Sequence, residues 1–113
     1  MKNFVQPGDV ISVTAPANVA SGAGVLVGSI FGVAVNTAVS GDAVEIAVTG
    51  VFDLTKAGTQ AWAVGARIYW DDTAKNCTTT AGTNKLIGVA TAAVGSGAGE
   101  TIGRVRLSAA FTL

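Results

Sequence analysis

A chain of 113 residues with seven Lys or Arg, seven Asp or Glu and no histidine can bury one modest core and carries no net charge. That balance excludes the basic stripe of a nucleic-acid binder, and the missing histidine removes the commonest general base and metal ligand together. Charged residues make up only 12% of the chain against about 25% in an ordinary soluble domain, so much of the surface is expected to lie under partners.

Val, Ile and Thr together number 35 against five Leu and one Met, an imbalance that favours pleated strands over helices. In chain order, residues 1–8 (MKNFVQPG) read as an extended N-terminal arm, and residues 9–113 as a single β domain. The arm meets Pro7, Gly8 and Asp9 before any apolar run forms, unlike a secretory leader. DVISVTA (9–15) is the first expected strand.

SGAGVLVGSIFG (21–32) invites three readings. Gly24, Gly28 and Gly32 have the small-residue spacing of packed membrane helices. The surrounding window contains Ser21, Ser29, Asn36 and Thr37, however, and has no flanking Lys or Arg to anchor a span. The same glycines resemble a dinucleotide loop, but they precede a β-branched run instead of opening a helix. The remaining reading is a turn at SGAG followed by one buried strand. On it Phe31, Val33 and Val35 share a face, while Gly28, Gly32 and Ala34 leave the other bare for a close neighbour.

SGDAVEIAVTGVFDL (40–54) alternates Val44, Ile46 and Val48 with Glu45 and Ala47, bends at Gly50, and resumes with Phe52 and Leu54 on one face. TKAGTQAWA (55–63) has room for one short helical turn. AWAVGARIYW (61–70) reads as a strand that places Trp62, Val64, Ala66, Ile68 and Trp70 together, with Arg67 and Tyr69 opposite. DDTAKN (71–76) is a hairpin turn returning through CTTT, and NKLIGVATAAV (84–94) and TIGRVRLSAAF (101–111) complete the set. About eight short strands with turns every eight to twelve residues have the rhythm of a small β-barrel or β-sandwich.

Catalytic equipment is sparse, and no catalytic, cofactor-binding or metal-binding residue is assigned. Asp71 and Asp72 are the only adjacent carboxylates, and neighbours in a turn diverge; a distant pair such as Asp9 with Asp53 stays open. Cys77 has no partner for a disulfide and no His to activate it, so it reads as a small strand residue made in a reducing compartment. Arg104 and Arg106 share a strand face, expected to be solvated or salt-bridged. Trp62 and Trp70 are expected in the core, and Tyr69 is the better surface aromatic.

The ordered set QPGDVISVTAP, SGAGVLVGSIFGVA, TGVFDLTK, AVGARIYWDDTAKN, KLIGVA and VRL, running from Phe4 to Leu107, resembles the capsid decoration or cement proteins of tailed bacteriophages. The resemblance implies a non-enzymatic β protein, made in the host bacterial cytoplasm, that binds the outer surface of the phage head. It further implies a symmetric oligomer, most often a trimer, with the major capsid protein as partner and neither nucleic acid nor membrane bound directly. Phe4, Gln6, Pro7 and Tyr69 are the candidate interface residues, with Phe4 anchoring the arm on a neighbour's open sheet edge. Two other classes compete with this reading. One is a carbohydrate- or peptide-binding β module using Tyr69; the other is a small hydrolase with carboxylate chemistry.

Overall fold

The computed structural model describes residues 9–107. Nine strands form among them: β1 (Val10–Thr14), β2 (Gly24–Val27), β3 (Ile30–Ala34), β4 (Ala43–Ala47), β5 (Val51–Thr55), β6 (Arg67–Asp71), β7 (Asn76–Thr78), β8 (Lys85–Ala90) and β9 (Ile102–Leu107). They build two antiparallel sheets, one ordered β1-β4-β3-β2 and the other β5-β9-β8-β6-β7. The chain passes between the sheets once, through the bend at Val48–Gly50. The architecture is sandwich-like. The five-stranded sheet curls until its edges touch at a single parallel bridge between Lys56 and Cys77, with no ladder to close it into a barrel.

Each sheet owns part of the interior. One core gathers Phe31, Val33, Leu54, Trp62, Ile68, Trp70, Cys77, Ile87, Ala90, Val105 and Leu107, mostly from the five-stranded sheet. The other holds only Ala15, Val25, Ala34, Ala38, Val44, Ile46 and Val48, all from the first half of the chain. Strand β3 separates them, because its side chains alternate: Phe31 and Val33 point into the larger core and Ala34 into the smaller.

The Val44–Ile46–Val48 alternation is buried as expected, with Glu45 exposed between the first two. Three expectations are corrected. SGAG is followed by a hairpin and not by one strand: Val27 pairs with Ile30 across Gly28-Ser29, and Gly28 adopts a φ of 58°, the glycine-first arrangement of a type II′ turn. Gly28 therefore leaves no bare face. Gly32 does, but for its own sheet: a Cβ there would meet the Ala47 carbonyl at 2.9 Å. Val35 lies beyond β3 and is 54% exposed, off the face of Phe31 and Val33.

The second correction concerns residues 61–70, which are not one strand. A turn at Val64–Gly65, with Gly65 at φ 87°, leaves Val64 69% exposed and starts β6 only at Arg67. Trp62 meets Val94 at an isolated bridge and still reaches the core. The third is the helical turn proposed for 55–63, which is replaced by an irregular connection with Thr59 at φ 57°. No helix forms among the described residues, so none there is long and apolar enough to cross a membrane.

Candidate interaction surfaces

The carboxylates that could have built a catalytic site are occupied by structural tasks. Asp71 accepts from the backbone N–H groups of Thr73 and Ala74 at 3.0 and 3.1 Å, holding the β6–β7 turn. Asp72 accepts from Trp70 Nε1 at 3.0 Å and from Lys75 Nζ at 2.8 Å. Partial burial pushes the Asp72 carboxyl up, but the hydrogen bonds from Lys75 and Trp70 outweigh it and hold the group below the usual 3.8. Asp53 accepts two hydrogen bonds from the Arg104 guanidinium, Nε at 2.9 Å and a terminal nitrogen at 3.2 Å. Those bonds keep Asp53 below its ordinary value and Arg104 above its own. Asp9 accepts from Thr49 Oγ1 at 3.5 Å. Among the described residues no group of three or more His, Cys, Asp or Glu converges as metal ligands would.

Cys77 is fully buried on β7, and desolvation pushes its thiol up to about 12. A thiol so far from its thiolate is no nucleophile at neutral pH. The two tryptophans are core members, 2% and 3% exposed. Both sit on glycines. The Trp62 ring lies against Gly103, and the Trp70 ring leaves only 2.6 Å for a Cβ at Gly24. Trp70 also tilts against Phe31, with ring centroids 5.1 Å apart.

One interior group left no mark in the sequence pattern. Lys56 is 1% exposed, with its ammonium 5.7 Å from the centre of the Trp62 ring. Lys56 Nζ donates to the Ala57 carbonyl at 2.8 Å and to the Glu100 carbonyl at 3.2 Å. Trp62 Nε1 donates to Gln60 Oε1 at 3.0 Å, and Gln60 Nε2 donates to Thr78 Oγ1 at 2.9 Å. Two carbonyls and an aromatic face are hosts for a cation, not a catalytic constellation. The group ties the 95–101 loop to the end of β5.

A cleft of about 260 Å³ opens between the 16–24 segment and the five-stranded sheet. Leu26, Leu54 and Trp70 form its apolar wall, and Asn18, Asp72 and Lys75 its polar one. Asp72 is already engaged by Trp70 and Lys75, so the cleft has room for a side chain but no free acid to act on it.

The outer face of the five-stranded sheet is mixed. Register aligns Arg67, Val89, Arg106 and Val51 in one row across β6, β8, β9 and β5, and the next row pairs Arg104 with Asp53. Arg104 is salt-bridged and Arg106 is solvent-facing, matching the two fates considered for them. Tyr69 is half-buried on β6, opposite Thr78 on one side and Leu86 on the other. Phe4, Gln6 and Pro7, the other candidate interface residues, lie outside the described residues. The described chain does begin and end at one place: the Asp9 carbonyl accepts from Val48 N at 2.9 Å, and Leu107 N donates to the Gly50 carbonyl at 3.0 Å. Sequence reasoning missed this convergence because it joins positions from opposite ends of the chain.

Neither the curated proteins nor the solved structures contain a match to this chain. A family model does match, that of the phage cement proteins, and it aligns with residues 5–107, nearly the whole length. The match spans well over half of the chain and accords with the all-β fold, and the chain belongs to the phage cement protein family.

Proposed function

We propose that this chain decorates the outer surface of a tailed-phage head and stabilises it by bridging neighbouring major capsid subunits. The single observation that carries the reading is the family match over residues 5–107. Membership implies association with a phage capsid. Outer-surface seating and a trimeric state are what the family resemblance implies, and contacts through Phe4, Gln6, Pro7 and Tyr69 are this reading's own physical argument. A clamp that touches several subunits at once converts weak contacts into firm attachment through effective concentration. Asp9 and Leu107, the two ends of the described fold, both hydrogen-bond to the Val48–Gly50 bend, a proximity that suits such a clamp. Tyr69, half-buried with its ring on the outer face, would seat against a partner at low entropic cost. The partner in this reading is the major capsid protein, with neither nucleic acid nor membrane involved.

The test is titration of the full chain onto expanded, emptied heads that lack it. Saturable binding in a copy number set by the capsid's symmetry is expected. Removal of residues 1–6 is expected to leave a folded protein with weakened attachment. A chain that ignores heads, or that is retained instead on glycan resin as an adhesin-like module would be, contradicts the proposal.

A further inference from the structure

Lys56, one residue past β5, is the only charged side chain buried among the described residues. No carboxylate of those residues lies within 4 Å of its ammonium. Glu100 lends its carbonyl to Lys56 Nζ at 3.2 Å but turns its carboxylate to the Gly97 N–H at 2.9 Å. An ammonium kept from water without a counter-charge gains hydration whenever its cover lifts.

That cover includes the segment Gly95–Thr101, every residue of which is exposed. The segment lies antiparallel over residues 56–59. Lys56 Nζ reaches the Glu100 carbonyl, Gly58 abuts the Ala98 carbonyl, and Thr59 N donates to the Gly97 carbonyl. Among the described residues, the bonds from Lys56 and Thr59 are the only hydrogen bonds that tie Gly95–Glu100 to the rest of the fold. At 3.2 and 3.3 Å they stand at the long end of the range. The other hydrogen bonds of the segment are internal: Glu100 N donates to the Gly97 carbonyl at 3.1 Å and Gly97 N to the Glu100 carboxylate. Gly95–Glu100 can therefore lift as a unit without losing them. Its fixed end is Thr101, whose carbonyl accepts from Lys56 N at 2.7 Å where β9 begins.

The seat beneath is strained. Thr59 is β-branched yet sits at φ 57°, in the left-handed region that such side chains disfavour. Gly58 leaves no slack either, since a Cβ there would meet the Ala98 carbonyl at 2.8 Å.

We propose that Gly95–Glu100 is a latch over Lys56, hinged at Thr101, that opens and closes while both sheets stay folded. Closed, the latch supplies one of the two carbonyls that hold the ammonium. Open, it hands the ammonium to water and lets Thr59 relax out of the left-handed region. Gains in the open state offset the two long hydrogen bonds lost, which is the condition for local opening well short of global unfolding. The inference goes beyond the capsid reading and does not depend on it.

The test is acylation of the full, folded chain by a small amine-reactive ester, with each lysine followed by peptide mass spectrometry. Lys56 is expected to react at least about tenfold more slowly than the exposed Lys75. Its rate should stay flat as urea rises below the unfolding transition, because lifting a short loop exposes little new surface. Thr59→Gly removes the strain of the closed seat and is expected to slow Lys56 labelling about tenfold. Gly58→Ala crowds the Ala98 carbonyl and is expected to speed labelling by a similar factor. Exchange of the residue-59 amide, which bonds Gly97 only when the latch is closed, should move with labelling, while the Ile46 and Val105 amides hold. Lys56 labelling that climbs with urea in step with global unfolding would overturn the proposal, as would labelling unchanged by Thr59→Gly. The wild-type urea series needs no variant, so it decides the matter even if Gly58→Ala fails to fold.

Discussion

The two sheets solve the same packing problem with different materials. The four-stranded sheet fills its core with alanine, valine and a single isoleucine, and carries no cation at all. The five-stranded sheet buries both tryptophans, two leucines, two isoleucines and a lysine, and carries every cation of the described chain. A core of small side chains relies on close backbone approach, as where Gly32 meets the Ala47 carbonyl. A core of large side chains relies on a few anchors whose loss cannot be made good by collapse. Stability should therefore be concentrated in the five-stranded sheet and spread thinly through the four-stranded one.

The largest expected effect tests that concentration directly. Trp70→Ala removes the ring seated on Gly24 and Phe31 together with its hydrogen bond to Asp72, and is expected to cost about 3–5 kcal/mol in denaturant unfolding. Its counterpart, Ile46→Val at an equally buried site of the smaller core, is expected to cost only about 0.5–1.5 kcal/mol. Equal losses would mean that the two cores are not so different after all.

Lys56→Met comes between these. It keeps the stem beside Trp62 but strips the Ala57 and Glu100 carbonyls of their charged donor, with an expected loss of about 1–3 kcal/mol. Hydrogen exchange should rise selectively in the 95–101 loop. Uniform exchange across the molecule would remove the tether from the account.

The smallest effects are those of pH, and both belong to the five-stranded sheet. Asp72 is held below its unfolded value of 3.8, so its contribution is complete above that pH and is lost as pH falls through the lower folded value. Cys77 runs the other way. Burial raises its thiol from 9.0 to about 12, so its contribution is complete below pH 9.0 and is lost as pH climbs towards 12. Asp72→Asn should flatten the acid limb of the unfolding curve, and Cys77→Ala the alkaline one. At pH 8 the native thiol should resist alkylation that unfolded chain undergoes readily.

Much of this division can be read from residues alone, and its limits are physical. Val44, Ile46 and Val48 alternate with Glu45 and Ala47, and a pleat imposes that pattern wherever one face is buried. Val64 obeys the same alternation with Trp62 and Ala66 and is nonetheless exposed, because Gly65 turns the chain before β6 begins. A period of two cannot reveal where one strand stops and another starts on the same parity. Nor does it distinguish a glycine in a strand from one in a hairpin turn, which is why Gly28 and Gly32 look alike in sequence and do different work. Lys56 lies beyond local pattern altogether: one of its acceptors, the Glu100 carbonyl, comes from 44 residues away. The candidate surface was legible only in part. Tyr69 and the two arginines follow from strand parity, whereas the row of Arg67, Val89, Arg106 and Val51 depends on the order in which four strands pair.

The claim that this protein cements a capsid is best tested on the capsid's own failure. Undecorated, DNA-filled heads would be heated, or shocked by sudden dilution from high salt, with and without saturating protein, and DNA release followed by dye fluorescence. Decorated heads are expected to retain their DNA to a higher temperature and through a harsher shock, in proportion to occupancy. Heads that bind the protein to saturation yet release DNA at the same temperature and dilution would contradict the cementing role.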